Sequence, residues 1–183
     1  MLHYKQNLEE AVREKIRNIP DFPKAGIQFK DITPFFKDIE LFNKYIDYNS
    51  TILKRKDITK IVCVDARGFI FGTALAMKMG IPFVLARKSG KLPSKTIGHT
   101  YSLEYGEATV EMHIDDIKTS DSVLVVDDLL ATGGTVNAVV NLVERLGAKV
   151  HGCFFLIELG FLEGKQKIKS NNENLKFYSL IEY

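Results

Sequence analysis

The sequence predicts a doubly wound parallel α/β sheet, and three features carry that prediction. Short apolar runs at residues 61–64 and 122–126 each lead through a loop into a helical stretch and then into another apolar run, at 81–86 and 150–159. The runs are apolar at consecutive positions, which marks strands covered on both faces, as between two layers of helices. At 183 residues with 45% apolar content, one domain of this length can bury roughly 70% of the surface its unfolded chain would expose.

The elements follow in order. Leu8, Ala11, Val12, Ile16 and Ile19 recur at helical spacing and predict an amphipathic helix over residues 5–18, stopped by Pro20. Residues 21–26, Asp-Phe-Pro-Lys-Ala-Gly, have turn chemistry, and residues 27–32 alternate like a short strand before Pro34. Residues 1–34 therefore read as an N-terminal appendage to a core at 60–183, within a single domain. In the core, a helix over 69–79 is closed by Gly80, and Pro82 suits the beginning of the next strand. Residues 100–112 alternate about Gly106 as an antiparallel hairpin would, and such an insertion beside strand ends can serve as a lid. Val136, Val139, Val140, Val143 and Leu146 form one apolar stripe on a helix ending at Gly147. The stretch 165–174 is polar and turn-rich, and residues 175–183 suit an edge strand.

Composition narrows the partners. Twenty-five basic against 23 acidic residues give a formal charge of +2, without the basic footprint that duplex nucleic acid demands. The densest basic run, Lys54-Arg55-Lys56, stands beside Asp57 and reads as a solvated turn. No stretch approaches the ~18 apolar residues of a membrane span, and a cytoplasmic protein is expected. Cys63 and Cys153 each lie in an apolar run, where a lone cysteine acts as a small hydrophobe. The four histidines lack ligand spacing, so no structural zinc site is expected.

The densest chemistry lies at residues 125–135, Val-Val-Asp-Asp-Leu-Leu-Ala-Thr-Gly-Gly-Thr. A buried strand delivers Asp127 and Asp128 into a loop of small residues that opens a helix. Gly133 and Gly134 let backbone approach a ligand, the helix N-terminus attracts a phosphate, and Thr132 and Thr135 add hydroxyls. Adjacent carboxylates would repel that phosphate if they faced it, so they must address hydroxyls or a cation. A sugar phosphate meets both demands. The loop is not a nucleoside-triphosphate P-loop, since the Gly-Lys-Ser/Thr ending is absent.

This motif resembles the binding loop for 5-phosphoribosyl-1-pyrophosphate (PRPP) of type I phosphoribosyltransferases, and its Leu129-Leu130-Ala131 version resembles the branch of that family that uses adenine. Asp65-Ala66-Arg67-Gly68-Phe69, Arg87 to Pro93 and Tyr101-Ser102-Leu103-Glu104-Tyr105-Gly106 resemble the same family in the expected order. The resemblance covers residues 17–183. It implies a type I phosphoribosyltransferase fold with an N-terminal hood and a flexible hairpin flap, and a transfer of phosphoribose from PRPP to adenine that gives AMP and pyrophosphate. It also implies a homodimer, and magnesium carried mainly by the oxygens of PRPP, with no metal ligands from the protein.

Residue roles follow from the same resemblance. Asp127, Asp128, Ala131, Thr132, Gly133, Gly134 and Thr135 would hold the ribose 5-phosphate. Asp65-Ala66-Arg67-Gly68 would be the pyrophosphate loop, often containing a non-proline cis peptide, with Arg67 as its phosphate fork. Lys88 and Lys91, with Arg87 beside them, would neutralise the leaving group, although read alone this segment equally suits a solvated loop. Glu104 and Tyr105 would close over the reaction, with Glu104 exchanging a proton on the purine; read alone, Glu104 is a surface carboxylate. Adenine would lie against Ile27, Phe29 and Lys30 on one side and Leu129 on the other. Read alone, Ile27 and Phe29 could simply pack the first helix. Similar enzymes often carry arginine where this chain has Lys30, which exchanges a bidentate contact for a point charge. Two other readings remain: a phosphoribosyltransferase for hypoxanthine, guanine, xanthine or orotate, and a PRPP-sensing regulator, which should carry a DNA-binding module.

Overall fold

The computed structural model describes residues 2–54, 56–102, 106–169 and 173–183. They form two compact units, Met1–Thr51 and Ile52–Tyr183.

The first unit begins with helix α1 (Leu2–Glu14), whose Leu8 and Val12 are buried. The helix ends earlier than the periodicity predicts. Lys15 and Ile16 donate to the carbonyls three residues back, and the chain then forms strand β1 (Arg17–Pro20), antiparallel to β2 (Gln28–Asp31). The competing interaction is local pairing: Ile19 lies opposite Phe29, and Arg17 binds Asp31 through Nη2 at 2.7 Å. Hydrogen bonds from the Thr33 amide and hydroxyl, and then the Arg17 guanidinium, hold the Asp31 carboxyl down at about 2. Helix α2 (Thr33–Phe36) and helix α3 (Ile39–Leu53) follow. The sequence reading assigns no element to this segment. Phe35 is fully buried and meets Phe42 and Tyr45 at ring-centroid distances of 5.5 and 5.7 Å, so an aromatic cluster fastens α2 to α3.

The second unit is built on strands β3 (Lys60–Val64), β4 (Phe83–Lys88), β5 (Thr96–Ser102), β6 (Glu107–His113), β7 (Ser122–Val126), β8 (Leu129–Leu130), β9 (Lys149–Glu158) and β10 (Lys176–Glu182). Their order is β10-β9-β7-β3-β4-β6-β5, with the short β8 on β9. The run from β10 to β4 is parallel, and the β5–β6 hairpin extends the sheet antiparallel from β4.

Helix α4 (Gly68–Met79) links β3 to β4, and helix α5 (Gly134–Arg145) links β7 to β9. They cover opposite faces, as alternation along β3 shows. Val62 and Val64 join Val123, Val125 and Phe155 in the cluster that buries Val136, Val139, Val140 and Val143 of α5. Ile61 and Cys63 point the other way, against Gly72 of α4; a Cβ there would stand 2.2 Å from the Cys63 sulfur. Burial pushes the Cys63 thiol up to about 12, so it behaves as the expected hydrophobe. Gly80, left-handed at φ 71°, ends α4 as predicted.

Two further segments differ from the sequence reading. The strand expected at 81–86 runs from Phe83 to Lys88, because Pro82 has no N–H to give and because Arg87 and Lys88 pair with Glu111 and Val110 of β6. The polar stretch after residue 164 contains helix α6 (Gly164–Lys169), anchored by the single buried side chain of Ile168. One apolar residue leaves no period to read.

Candidate active site

Neighbouring parallel strands β4, β3 and β7 deliver three loops to one edge of the sheet, at residues 89–91, 65–67 and 127–133. From β3 the chain winds through α4 to β4 on one side, and from β7 through α5 to β9 on the other. The sheet therefore changes winding direction between β3 and β7, and such a point opens a crevice at the carboxyl ends of the strands.

The loop after β7 is stitched to β9. Asp127 N donates to Phe154 O at 3.0 Å, and the Asp128 carbonyl accepts from Leu156 and Ile157, each at 3.0 Å. Leu129 and Leu130 then pair with Ile157 and Glu158. Beyond them Ala131, Thr132, Gly133, Gly134 and Thr135 curve around a small cavity of about 90 Å³, which Asp127 and Leu129 also line. Gly133 is left-handed at φ 78° and, lacking a side chain, makes no cap hydrogen bond to the first amides of α5. Donors left open at a helix start suit a phosphate. The Thr135 hydroxyl lies 2.9 Å from that of Tyr101, whose ring packs on Gly134 closely enough that a Cβ there would meet it at 3.2 Å.

The two acids share their charge problem with Arg67. Asp128 is buried, and its Oδ2 lies 2.9 Å from Arg67 Nε, although the angle leaves that oxygen without a well-aligned hydrogen bond. Asp127 is crowded by protein while part of its side chain still meets solvent, and its Oδ1 accepts the Asp128 amide at 2.8 Å. Burial lifts both carboxyls above the ordinary range. The charge of Asp128 raises Asp127 further, whereas Arg67 opposes the rise at Asp128. Hydroxyl donors or a cation arriving here would restore the ionised form.

The other two loops are tightly built. Asp65-Ala66 is a cis peptide, in agreement with the resemblance. Gly68 follows, and a Cβ on it would lie 2.6 Å from Val126 O and 3.0 Å from Asp127 Cα. A side chain is thus excluded where the loops after β3 and β7 touch. Arg87, grouped by sequence with Lys88 and Lys91, extends toward Asp65 (Nε to Oδ2, 3.4 Å), donates to the Lys91 carbonyl at 3.0 Å and lies over the Phe69 ring at 5.9 Å. Glu111 accepts from Gly90 N at 3.1 Å and from the Ser89 hydroxyl. These contacts shape the turn that carries Lys88 and Lys91, whose side chains are exposed.

The structure thus brings Arg67, Asp127, Asp128 and residues 129–135 together, with Lys88 and Lys91 on the loop of the adjoining strand. Glu104 and Tyr105 lie outside the described residues. Ile27, Phe29 and Lys30 belong to the first unit, where Phe29 meets Phe22 edge-on at 5.1 Å and Lys30 Nζ reaches Asn18 Oδ1 at 3.2 Å. Sequence reasoning gave no role to Tyr101, Glu111 or Gly164. Gly164 packs so closely that a Cβ would stand 2.1 Å from the Ala131 carbonyl oxygen. Among the described residues, no three His, Cys, Asp or Glu side chains cluster as metal ligands, and no helix is long and apolar enough to cross a membrane.

Comparison with known proteins gives concordant findings. A family described as phosphoribosyl transferase domain matches residues 28–181. An adenine phosphoribosyltransferase of Actinobacillus pleuropneumoniae is 46% identical over 177 residues, which is 97% of this chain and 98% of that protein. That of Geotalea daltonii is 52% identical over 159 residues, or 87% and 93% of the two chains. The crystal structure of the Thermoanaerobacter pseudethanolicus adenine phosphoribosyltransferase superposes with a TM-score of 0.90 at 45% identity, covering 96% of this chain and 99% of that one.

Proposed function

The chain belongs to the phosphoribosyltransferase family, and from that premise we propose that it transfers the phosphoribosyl group of PRPP to adenine, giving AMP and pyrophosphate in purine salvage. The observation that carries this reading is the pairing, at the carboxyl ends of the central strands, of a helix start in a glycine loop with two adjacent acids, of which the buried Asp128 faces Arg67. The curated relatives sharing about half of its residues are adenine phosphoribosyltransferases.

In this mechanism Ala131 to Thr135 hold the 5-phosphate through backbone amides and hydroxyls. Asp127 and Asp128 accept hydrogen bonds from the ribose 2- and 3-hydroxyls, which orients C1 toward the base. Arg67 binds pyrophosphate oxygens, and Lys88 and Lys91 offset the charge that grows on the leaving group as its bond to C1 breaks. Adenine N9 attacks C1 from the opposite face, and no covalent enzyme intermediate is needed. Leu129, which lines the loop cavity, supplies an apolar wall for the flat purine.

Magnesium, when bound, supplies charge neutralisation on the diphosphate, held mainly by PRPP oxygens and water. The donor set fits that arrangement: an acid pair, one member of which faces Arg67, suits a ligand-borne ion and its waters. Glu104 exchanges a proton at N7 as N9 loses its own. Replacing Glu104 by alanine should lower kcat by about 100-fold and change the Kd for PRPP by less than about threefold. Unchanged turnover in steady-state assays would remove Glu104 from the reaction.

The two buried thiols suit a reducing cytoplasm. Ile70 and Met77, exposed seven residues apart on α4, offer apolar surface for the second copy in a homodimer, which light scattering would weigh at twice the chain mass. Substrate choice is tested by incubating the protein with PRPP, magnesium and each purine or orotate in turn. Nucleotide should form fastest with adenine, and preference for another base would overturn that assignment.

A further inference from the structure

The phosphate loop does not stand by itself. Gly133 and Gly164 lie face to face: a Cβ on Gly133 would meet Gly164 O at 2.7 Å and Ile168 at 3.1 Å, and one on Gly164 would meet Gly133 N at 2.9 Å as well as the Ala131 oxygen. Helix α6 is therefore the back wall of the loop that shapes the phosphate pocket. At six residues, α6 is far too short to be stable alone. Something must fix it.

Three contacts do so. Lys165, next to Gly164, reaches the buried Glu158 carboxylate (Nζ to Oε2, 3.4 Å), which also accepts from the Ser179 hydroxyl at 3.1 Å. Lys165 and Lys169 both lie over the Phe177 ring, at 5.8 and 6.0 Å. Ile168 is buried against the core. Glu158 also forms part of β9 where it pairs with Leu130, and Leu159 N donates to Leu130 O at 2.9 Å. One residue thus touches both ends of the arrangement, through its backbone at the start of the loop and through its side chain at the helix behind it.

We infer that Glu158, Lys165 and Gly164 are positioning residues for binding of the 5-phosphate: Glu158 and Lys165 pin α6, and Gly164 lets α6 set the curvature of Ala131 to Gly133. They touch no reacting atom. The inference rests on the phosphoribosyltransferase reading and adds residues about 30 positions downstream of the loop motif.

The test separates PRPP from adenine. Gly164→Ala should raise the KM for PRPP by about tenfold or more, since a shift of the loop by about 1 Å is enough for such an effect, while the KM for adenine changes by less than about twofold. Because this variant can fail to fold, Lys165→Met provides a second route; it removes one half-exposed head group and should raise the KM for PRPP by about three- to tenfold. Lys165→Arg should restore it. Titration calorimetry of wild type and variants with PRPP and with AMP in magnesium runs in parallel. Equal loss for both substrates, or a KM for PRPP unchanged in a folded variant, overturns the positioning role while leaving the proposed reaction intact. Wild-type protein that binds neither PRPP nor AMP overturns both.

Discussion

Replacing Gly68 by alanine should reduce kcat/KM for PRPP by about 100-fold or more and destabilise the fold by about 3 kcal/mol. The new methyl would meet two backbone atoms, Val126 O at 2.6 Å and Asp127 Cα at 3.0 Å, and neither can move without shifting a central strand. β3 and β7 are buried neighbours in the parallel sheet. Relief must come instead from the loops themselves, which separates Arg67 from Asp128. Denaturant unfolding and steady-state kinetics on one preparation measure both effects. A folded variant with a normal KM for PRPP would show that the contact between the two loops does not matter to the substrate.

Asp127→Asn should have opposite effects on stability and function. The folded carboxyl titrates well above its ordinary value, first because of burial and then because of Asp128. Between the ordinary carboxylate range and the raised folded value, the folded state retains a proton that the unfolded state has lost. Stability therefore falls as pH rises through that window and stays reduced above it. Asparagine keeps the oxygen that accepts the Asp128 amide and cannot ionise. The variant should be more stable than wild type near pH 8, with the advantage vanishing toward the ordinary carboxylate range. Its affinity for PRPP should fall by about 10- to 100-fold, the usual loss when a charged acceptor for sugar hydroxyls is made neutral. Melting curves across pH, set beside PRPP titrations, check both parts. A variant less stable at pH 8 that still binds PRPP normally would contradict the role given to this acid.

Both effects have one physical origin: the crevice holds charge that the fold alone does not satisfy. Asp128 faces Arg67 at a poor hydrogen-bonding angle, and Asp127 is lifted by its neighbour. A ligand that brings ribose hydroxyls to the acids and phosphate oxygens to Arg67 removes the mismatch. Such local frustration is common where a site is preorganised for a ligand.

How much of this the sequence disclosed depends on how local each signal is. β3, α4, β7, α5 and β9 were legible because each is a contiguous apolar run or stripe punctuated by Gly80 or Gly147. Residues 125–135 were legible for the same reason, since acids, threonines and glycines stand side by side in the chain. The end of α1 was misread, because Ile16 and Ile19 continue the helical period while the pairing of Arg17 and Asn18 with Asp31 and Lys30 draws the chain into β1. Helix α3 went unassigned although Leu41, Tyr45, Ile46 and Leu53 are all buried; that spacing was the available signal. Gly164 gave none, because a glycine in a polar stretch acquires meaning only from Ala131 and Gly133, which the fold carries to it across some 30 residues.

The proposed reaction depends on the loop from Asp127 to Thr135 as a cradle for ribose 5-phosphate. Titration calorimetry of the wild-type protein with AMP, and with PRPP in millimolar magnesium, tests it most directly. Saturable heat with one site per chain, abolished by Gly134→Val, is the expected result. No detectable heat for either AMP or PRPP, or binding undisturbed by that substitution, would contradict it.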